Sequence, residues 1–424
     1  MINKETLIAV FAKNVPVPLP APIFDNLNHM PNPFKQRNFT AGIEVTGADV
    51  DYEYALKFLY SYRDSTATFN AYRRELERLL QWAWYIEKMS ILRFRREHLE
   101  DFIRFCQNPP QAWIGTKNVA RFINLENKRQ VNAEWRPFVV SVPKSKFKDG
   151  STPDKKAFLP SEAAVKATFT ALSSFYRFLY EESLVPSNPV SLIRQKSKFI
   201  SKSQNVAPVR RISNLQWDYV IETAELLAAD DPVRFERTLF VMMCLFTMYL
   251  RVSELVADER STPVMGDFRK DHDGNWWFHV RGKGNKTRTI AVCNEMLKAL
   301  KRYRKTLGLT ALPTPDDKTP LVAKNIGTGP IESTRLIRIL VQECFDAAYD
   351  RMQNDELEED GAELRAATVH WLRHTGISED VKFRPREHVR DDAGHSSMAT
   401  TDRYIESDLR ERHRSNKYKQ VRDI

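Results

Sequence analysis

The sequence predicts a mainly α-helical protein of two domains with one small β-hairpin. A chain of 424 residues is too long for one compact core, which indicates at least two domains. Most of its apolar residues recur at i, i+3, i+4 and i+7, the spacing of one helix face. The exception is "NWWFHVRGKGNKTRTIAV", residues 275–292, where two β-rich runs flank a Gly-Lys-Gly-Asn turn. The fold class is therefore α+β, with helices dominant.

Changes in composition along the chain predict its organisation. Residues 1–45 are rich in Pro and Asn and predict an extended arm, and residues 46–200 predict a helical domain. Within that domain, residues 109–158 lack helical periodicity and carry a basic, Pro/Gly-bearing tail, which indicates an irregular insertion. Residues 201–212 are basic and nearly without apolar periodicity, as in an interdomain linker. Residues 213–424 form a second, mostly helical domain.

Two helices of the first domain have clear sequence signals. Apolar residues follow helical spacing in "STATFNAYRRELERLLQWAW", after a predicted N-cap at Ser65 or Thr66. Ser161 is the predicted N-cap of "EAAVKATFTALSSFYRFLYEE". Pro186 and the Asn-Pro pair that follows predict its end.

Charge and cysteine usage limit the class of protein. The formal net charge of +10 and the pI of about 9.3 favour a polyanionic partner, with nucleic acid first and an acidic membrane surface second. The four cysteines are scattered without a CxxC pair, so neither a zinc site nor a disulfide framework is indicated. Early charges and prolines near the N-terminus argue against a signal peptide or a membrane span. We therefore expect a reducing, cytoplasmic setting.

The second domain carries four clusters of charged residues. The first cluster lies at the end of an apolar helix. "FVMMCLFTMYLRVSEL" carries Arg251 directly behind an apolar run, with Glu254 three residues later. A surface ion pair at i, i+3 explains this spacing equally well.

The second cluster is the turn of the predicted hairpin. Lys283 lies between Gly282 and Gly284, which allow a backbone to approach a ligand closely. Taken alone, a solvated turn is the simpler interpretation, and a phosphate-contacting finger is the alternative.

The third and fourth clusters lie near the end of the chain. In "HWLRHTG", His370 and Arg373 share one helix face and present a proton carrier beside a guanidinium. His370 and His374 at i, i+4 would suit a metal, but no acidic third ligand and no HExxH motif follows, so no metal is expected. In "DDAGHSSMATTDRY", Tyr404 lies nine positions after His395, with small and hydroxyl residues between.

The order Arg…Lys…His-x-x-Arg…His…Tyr closely resembles the tyrosine recombinase (phage integrase) family. The local contexts are "YLRVSEL", "GKGNKTRTI", "HWLRHTG" and "GHSSMATTDRY". The resemblance covers the whole C-terminal domain. It extends more loosely to the first domain, which is similar to the helical core-binding domain that clamps DNA.

The resemblance implies a role for each candidate residue. Tyr404 would be the nucleophile, Lys283 the proton donor on the hairpin, and Glu254 the supporting carboxylate. Lys283 is preferred to Lys286 because it lies between the glycines. The remaining catalytic residues would be Arg251, His370, Arg373 and His395.

The implied reaction is the cutting and rejoining of DNA through a 3′-phosphotyrosine, without metal, cofactor or ATP. The implied partners are double-stranded DNA with a specific recombination site and three further copies of the chain, in a tetramer that forms a Holliday junction on two duplexes. No membrane partner is expected, and accessory proteins stay open. The polar residues after Tyr404 form either a frayed tail or a segment that docks on a neighbouring protomer.

Two other functions fit parts of the pattern. A type IB topoisomerase-like enzyme would use the same chemistry as a monomer. A non-enzymatic DNA-binding accessory protein would keep the scaffold alone.

Two local departures from the family pattern concern helix packing. The loop "ADERSTPVMGDFRKDHDG" makes the interval between Arg251 and Lys283 long. The segment "ISEDVKFRPREHVRDDA" is charged where an apolar helix is common in the family.

Overall fold

The chain folds into two compact units, each with its own hydrophobic core. The computed structural model describes residues 18–31, 42–196, 199, 210–259, 261–281, 287–404 and 416–417. The units divide between Gln204 and Asn205. In the described part of the chain, no helix is both long enough and apolar enough to cross a bilayer.

The first unit is a helical bundle around an aromatic core. Its helices are α1 (Ala48–Tyr60), α2 (Thr66–Trp82), α3 (Arg96–Gln107), α4 (Lys144–Lys148), α5 (Glu162–Glu181) and α6 (Pro189–Lys196). Helix α5 packs on α1 and α2, and α6 packs on α3 and α5. The predicted N-cap at Ser161 is confirmed, since its side chain accepts from the Ala164 backbone N–H at 3.2 Å. Ser65 holds the N-cap position of α2 but bonds to the Thr68 hydroxyl instead.

The predicted irregular insertion contains regular structure. Strands β1 (Ile114–Gly115) and β4 (Phe138–Val139) pair in parallel, while β2 (Phe122–Leu125) and β3 (Lys128–Val131) form a hairpin. Its turn residues Glu126 and Asn127 have φ of 48° and 60°, as a tight two-residue hairpin requires. Trp113, Trp135 and Phe138 are buried beneath these strands. The burial of these three aromatic rings orders the segment. Its strands are too short for periodicity to be visible in the sequence.

Helices surround a central apolar helix in the second unit. They are α7 (Asn214–Asp230), α8 (Pro232–Thr247), α9 (Asn294–Thr306), α10 (Thr334–Asn354), α11 (Glu358–Gly361) and α12 (Val369–Asp380). Helix α8 packs against α7, α9, α10 and α12, so nearly all of its faces are buried. At the crossing with α12, Gly376 lies directly against the Phe246 carbonyl oxygen.

A three-stranded antiparallel sheet flanks this helical core. Strand β6 (Trp276–Arg281) pairs with β7 (Thr287–Ala291), which confirms the predicted hairpin. Strand β5 (Phe268–Lys270) pairs with β6 on its other side, within the segment predicted to be a loop. The hairpin turn, residues 282–286 with Lys283 and Lys286, lies outside the described residues.

The C-terminal part of the second unit contains two short helices. They are α13 (Arg386–Ala393) and α14 (Met398–Asp402), joined through Gly394 in the left-handed conformation. Although α13 is mostly charged, its Val389 and Ala393 are fully buried. They form a small core cluster with Tyr249, Ile377 and Tyr404. Tyr404 is therefore held by packing on α12 and α13.

Candidate active site

The structure brings most of the candidate residues to one side of the second unit. Arg251 follows α8 at the start of a short 3₁₀ turn, Val252–Glu254. His370 and Arg373 lie on α12, His395 lies between α13 and α14, and Tyr404 follows α14. Arg251 Nη2 donates to the Gly394 carbonyl at 3.2 Å, which joins the first motif to the last. Lys283 lies outside the described residues.

A buried carboxylate joins two arginines. Glu254 Oε1 accepts from Arg251 Nη1 at 3.1 Å, and its Oε2 accepts from the Arg251 backbone N–H at 2.8 Å. Arg288 on β7 holds the same carboxylate with both terminal nitrogens, each at 2.8 Å. Glu254 is 6% exposed, and these bonds keep its pKa low despite the opposing effect of burial. The surface ion-pair interpretation of Arg251 and Glu254 is therefore wrong.

Arg288 was not identified from the sequence as a site residue. Its Nε also donates to the Asp392 backbone carbonyl at 3.0 Å, so it connects β7 to α13 as well as to Glu254. One sequence feature could have identified it. Arg288 lies two residues after Lys286, on the strand that follows the hairpin turn.

Arg373 is the most deeply placed of the site arginines. It is 5% exposed and donates to the backbone carbonyls of Tyr249 and Ala393, the second at 2.6 Å. Burial, followed by the charge of Arg251, lowers its pKa to about 10, so it stays cationic at neutral pH. The two backbone carbonyls fix the orientation of the Arg373 guanidinium. Among the described residues, no carboxylate contacts this group directly.

A polar cluster holds Tyr249, whose backbone carbonyl accepts from Arg373. The Tyr249 hydroxyl donates to Asp380, and Arg384 donates to that hydroxyl at 2.9 Å and to Asp380 at 3.0 Å. Arg384 also reaches Asp392 at 2.6 Å, which ties α12 to α13. Tyr249 has φ of 50°, and its hydrogen bonds hold this unfavourable backbone in place.

The Tyr404 hydroxyl lies against His374, a residue that is not among the predicted catalytic residues. Its Oη is 2.7 Å from His374 Nδ1, and its ring stacks on His395 with centroids 5.8 Å apart. His370 lies one turn earlier on α12, with its ring centroid 6.4 Å from that of His374. His374 had been considered only as a metal ligand. Its position four residues after His370 put it on the same helix face, which was the available signal.

The histidines around Tyr404 are held in their neutral form. Burial, followed by nearby positive or imidazole groups, lowers the pKa of His374 and of His395 to about 4. Partial burial and the guanidinium groups of Arg338 and Arg373 lower the pKa of His370 as well. A neutral imidazole has one ring nitrogen free to accept a hydrogen bond or a proton.

Tyr404 is buried, at 7% exposed, and burial raises its pKa while the charges of Arg373, Arg403 and Arg251 lower it. The phenol is therefore protonated at neutral pH.

The lowered histidine pKa values predict a pH-dependent stability. An unfolded histidine titrates near 6.5, whereas folded His374 and His395 titrate at about 4, so the unfolded state takes up protons first as the pH falls. The melting temperature of the second unit should therefore decrease between pH 6.5 and pH 4. In the His374→Gln/His395→Gln variant this decrease should be smaller.

Thermal melting at half-unit pH intervals measures this effect. His272→Gln, an exposed histidine between β5 and β6, is the control and should show the full decrease. Equal decreases in the double variant and the wild-type chain would contradict the prediction.

Gly394 allows the last two motifs to meet. Its φ of +63° is in the left-handed region, and an added Cβ would lie 2.9 Å from Arg288 Cδ. The residue thus ends α13 and leaves room for the arginine that holds Glu254.

A metal centre does not form in the described part of the chain, where no three His, Cys, Asp or Glu side chains converge. His370 and His374 therefore have no third ligand among those residues.

Comparison with known proteins finds relatives among the tyrosine recombinases. No family model matches the sequence. Tyrosine recombinase XerD of Agrobacterium fabrum is 29% identical over 270 residues, which are 60% of this chain and 76% of that protein. The chain is similar in sequence to tyrosine recombinases over about 60% of its length. Tyrosine recombinase XerC of Chlorobaculum parvum is 25% identical over 262 residues, 59% of this chain and 70% of that protein.

A solved structure agrees with this chain in fold. It is the crystal structure of XerH site-specific recombinase bound to palindromic difH substrate, with a TM-score of 0.50 and 14% identity. The match covers 89% of this chain and 90% of that chain. The predicted fold class, mainly α with a small β-sheet, is confirmed, as is the predicted resemblance to tyrosine recombinases.

Proposed function

We propose that this protein is a site-specific recombinase that cuts and rejoins DNA, with Tyr404 as the nucleophile. The observation that carries the proposal is the position of the Tyr404 hydroxyl. It lies 2.7 Å from Nδ1 of the neutral His374. Burial raises the pKa of Tyr404, and the charges of Arg373, Arg403 and Arg251 offset part of that rise. The names of the curated relatives, all tyrosine recombinases, support the same activity.

The chemistry is one transesterification and its reversal. The Tyr404 oxygen forms a bond to the scissile phosphorus, and the bond from phosphorus to the 5′-oxygen breaks. The phenol proton passes to a neutral imidazole, for which His374 is the structural candidate, with His370 adjacent. The 5′-oxygen takes a proton from Lys283. Because the phosphotyrosine keeps the energy of the broken bond, a 5′-hydroxyl can attack it and rejoin the strand without ATP.

Two arginines give this reaction its electrostatic stabilisation. Arg251 and Arg373 would bind the non-bridging oxygens of the phosphate, whose negative charge a catalyst must neutralise. His395, stacked on Tyr404 and 2.9 Å from the Thr401 hydroxyl through Nδ1, would direct its other nitrogen to the phosphate. Glu254 and Arg288 hold Arg251 in place, and so act on the phosphate through it.

The partners proposed for this reaction follow from the family. Double-stranded DNA with a recombination site is the substrate, and the XerH structure was solved with such a substrate. A homo-tetramer on two duplexes, a Holliday junction between them, and a cytoplasmic setting complete the proposal. Accessory proteins are a further class of partner.

The alternatives make different use of the same residues. A type IB topoisomerase-like enzyme would relax supercoiled plasmid as a monomer, without sequence preference. A non-enzymatic accessory protein would bind DNA without forming a covalent bond. The recombinase names of the relatives favour recombination over both.

Peptide mapping of a trapped intermediate tests the proposal. A duplex nicked next to the scissile phosphate lets the cut fragment diffuse away, so the covalent protein–DNA intermediate should accumulate. After nuclease and trypsin digestion, mass spectrometry should place the phosphonucleotide on the peptide that contains "YIESDLR", residues 404–410. The nicked duplexes are drawn from the DNA that flanks the gene. An adduct on any other tyrosine would reject Tyr404 as the nucleophile.

A further inference from the structure

The charged segment "ISEDVKFRPREHVRDDA", residues 377–393, makes contacts that the proposed reaction does not use. It is charged where an apolar helix is common in the family. Its Asp380 ends α12, Arg384 lies in the turn after α12, and Asp392 lies in α13. Arg384 contacts both carboxylates and also the side chain of Tyr249. We call these four side chains the Arg384 cluster.

Arg384 is the centre of this cluster. Its Nη1 donates to the Tyr249 hydroxyl at 2.9 Å and to Asp380 at 3.0 Å, and its Nη2 donates to Asp392 at 2.6 Å. The Tyr249 hydroxyl in turn donates to Asp380. A guanidinium presents its N–H donors in a fixed plane, so these acceptors hold Arg384 in one orientation.

Both backbone carbonyls that orient Arg373 adjoin this cluster. Arg373 donates to the carbonyl of Tyr249, a member of the cluster, and to the carbonyl of Ala393 at 2.6 Å. Ala393 directly follows Asp392 in α13. The guanidinium of Arg384 therefore restrains both acceptors of the Arg373 guanidinium. A shift of either carbonyl would turn Arg373 away from its present direction, because hydrogen bonds weaken steeply with angle.

The backbone of Tyr249 depends on this restraint. Its φ of 50° is in the left-handed region, which is unfavourable for a residue with a Cβ. Its side chain is buried, and its hydroxyl is bonded to Asp380 and Arg384. Without these bonds the residue would relax toward negative φ, and its carbonyl would turn away from Arg373.

The Ala393 carbonyl is held through Asp392. Asp392 Oδ2 accepts from Arg384, and its Oδ1 accepts from the Ala291 backbone N–H at 3.3 Å. Its backbone carbonyl accepts from Arg288 Nε at 3.0 Å. The end of α13 is thus bonded both to the turn after α12 and to β7, which fixes the Ala393 carbonyl relative to α12.

We propose that Arg384 is a positioning residue for Arg373, which it orients through the two backbone carbonyls. It directs the Arg373 guanidinium toward the scissile phosphate and does not contact the phosphate itself. This role rests on the proposed function, in which Arg373 binds a non-bridging phosphate oxygen. A cluster that only stabilises the fold is the alternative, and the two roles differ in which substrates a variant cleaves slowly.

Adduct formation by Arg384→Met tests this role. The substitution keeps an unbranched side chain and removes its charge and its donors. With the nicked duplex at saturating concentration, the rate of adduct formation should fall about 30-fold, since misplacement of a catalytic group can cost about 100-fold. A wild-type rate would contradict the proposal.

A neutral substrate separates positioning from a folding defect. A duplex with a methylphosphonate in place of the scissile phosphate has no negative charge at the reacting phosphorus, so its cleavage needs less from the arginines. The ratio of the wild-type rate to the Arg384→Met rate should therefore fall from about 30 to below about 3 on this duplex. A ratio that is the same on both duplexes would assign the cluster to fold stability and overturn the proposal.

Tyr249→Phe is a milder variant for the case in which Arg384→Met does not fold. It removes one oxygen and leaves Arg384 paired with Asp380 and Asp392. Its rate should fall about tenfold on the phosphate duplex and return close to the wild-type rate on the methylphosphonate duplex. An equal loss on both duplexes would again count against positioning.

Lys382→Met is the matched control. Lys382 lies two residues before Arg384 in the same segment and pairs with Glu379 at 3.0 Å. Loss of this charge should leave the rates on both duplexes at the wild-type level. Equal losses in Lys382→Met and Arg384→Met would overturn a specific role for Arg384.

An experiment without DNA keeps the two proposals apart. In the full chain, the Nε–H signal of Arg373 is assigned by its absence in Arg373→Lys, and its exchange with solvent is followed by NMR spectroscopy. Exchange should be about tenfold faster in Arg384→Met and unchanged in Lys382→Met. Unchanged exchange in Arg384→Met would overturn the positioning role. Faster exchange, with no adduct from the unaltered chain, would reject the proposed function and keep the positioning role.

Discussion

Tyr404→Phe should form no covalent adduct with a nicked duplex, a decrease of at least about a thousandfold. The change removes one oxygen and leaves a ring that can still pack against His395 and the small cluster around Tyr249. The lost hydrogen bond to His374 leaves that imidazole without the hydroxyl it faces at 2.7 Å. Binding of intact duplex should change less than threefold, because the first unit carries the net positive charge. Denaturing gel electrophoresis of labelled DNA measures the adduct.

Tyr349→Phe is the matched control for this experiment. Tyr349 lies on α10, where its ring contacts the Arg365 guanidinium. The same loss of one oxygen there should leave adduct formation unchanged. Wild-type adduct yield from Tyr404→Phe would remove Tyr404 from the mechanism.

Gly376→Ala should destabilise the second unit by about 3 kcal/mol. An added Cβ would overlap the Phe246 carbonyl oxygen, a backbone atom that cannot move without displacing α8 from α12. The usual gain of about 1 kcal/mol from replacing a helical glycine is too small to offset this overlap. Since α12 carries Arg373 and His374, adduct formation should fall as well. Urea unfolding followed by circular dichroism measures the change in stability.

Gly361→Ala provides the comparison. An added Cβ at Gly361 meets the Tyr349 ring at 3.3 Å and Met352 Cβ at 3.4 Å, and the ring can rotate away. Its free energy of unfolding should change by less than about 1 kcal/mol. If the two alanine variants were equally stable, the close crossing of α8 and α12 would be wrong.

Patterns that repeat along the chain were sufficient to predict the main elements. The apolar run before Arg251 predicted α8, and alternation around the Gly-Lys-Gly-Asn turn predicted β6 and β7. The family followed from the order of charged residues, because that order reflects one reaction. Helical spacing also placed His370 and Arg373 on one helix.

Other features depended on contacts between distant segments. Strand β5 has three residues, too few for alternation to be visible, and it forms because β6 offers a free edge. His374 contacts Tyr404 only because the short helix α14 returns the chain to α12, a path that spacing does not indicate. Arg288 pairs with a glutamate 34 residues earlier, and the buried aromatic rings that order the insertion lie on separate turns of chain.

The placement of Gly394 limits how the site can change by mutation. Any side chain there would strain the turn after α13 and press on Arg288, which is the support of Glu254. A compensating change would have to shorten Arg288, and would then leave Glu254 buried with half of its hydrogen bonds. The segments that carry Arg288, Glu254 and Gly394 therefore cannot vary independently. A substitution in any one of these segments requires compensating changes in the other two.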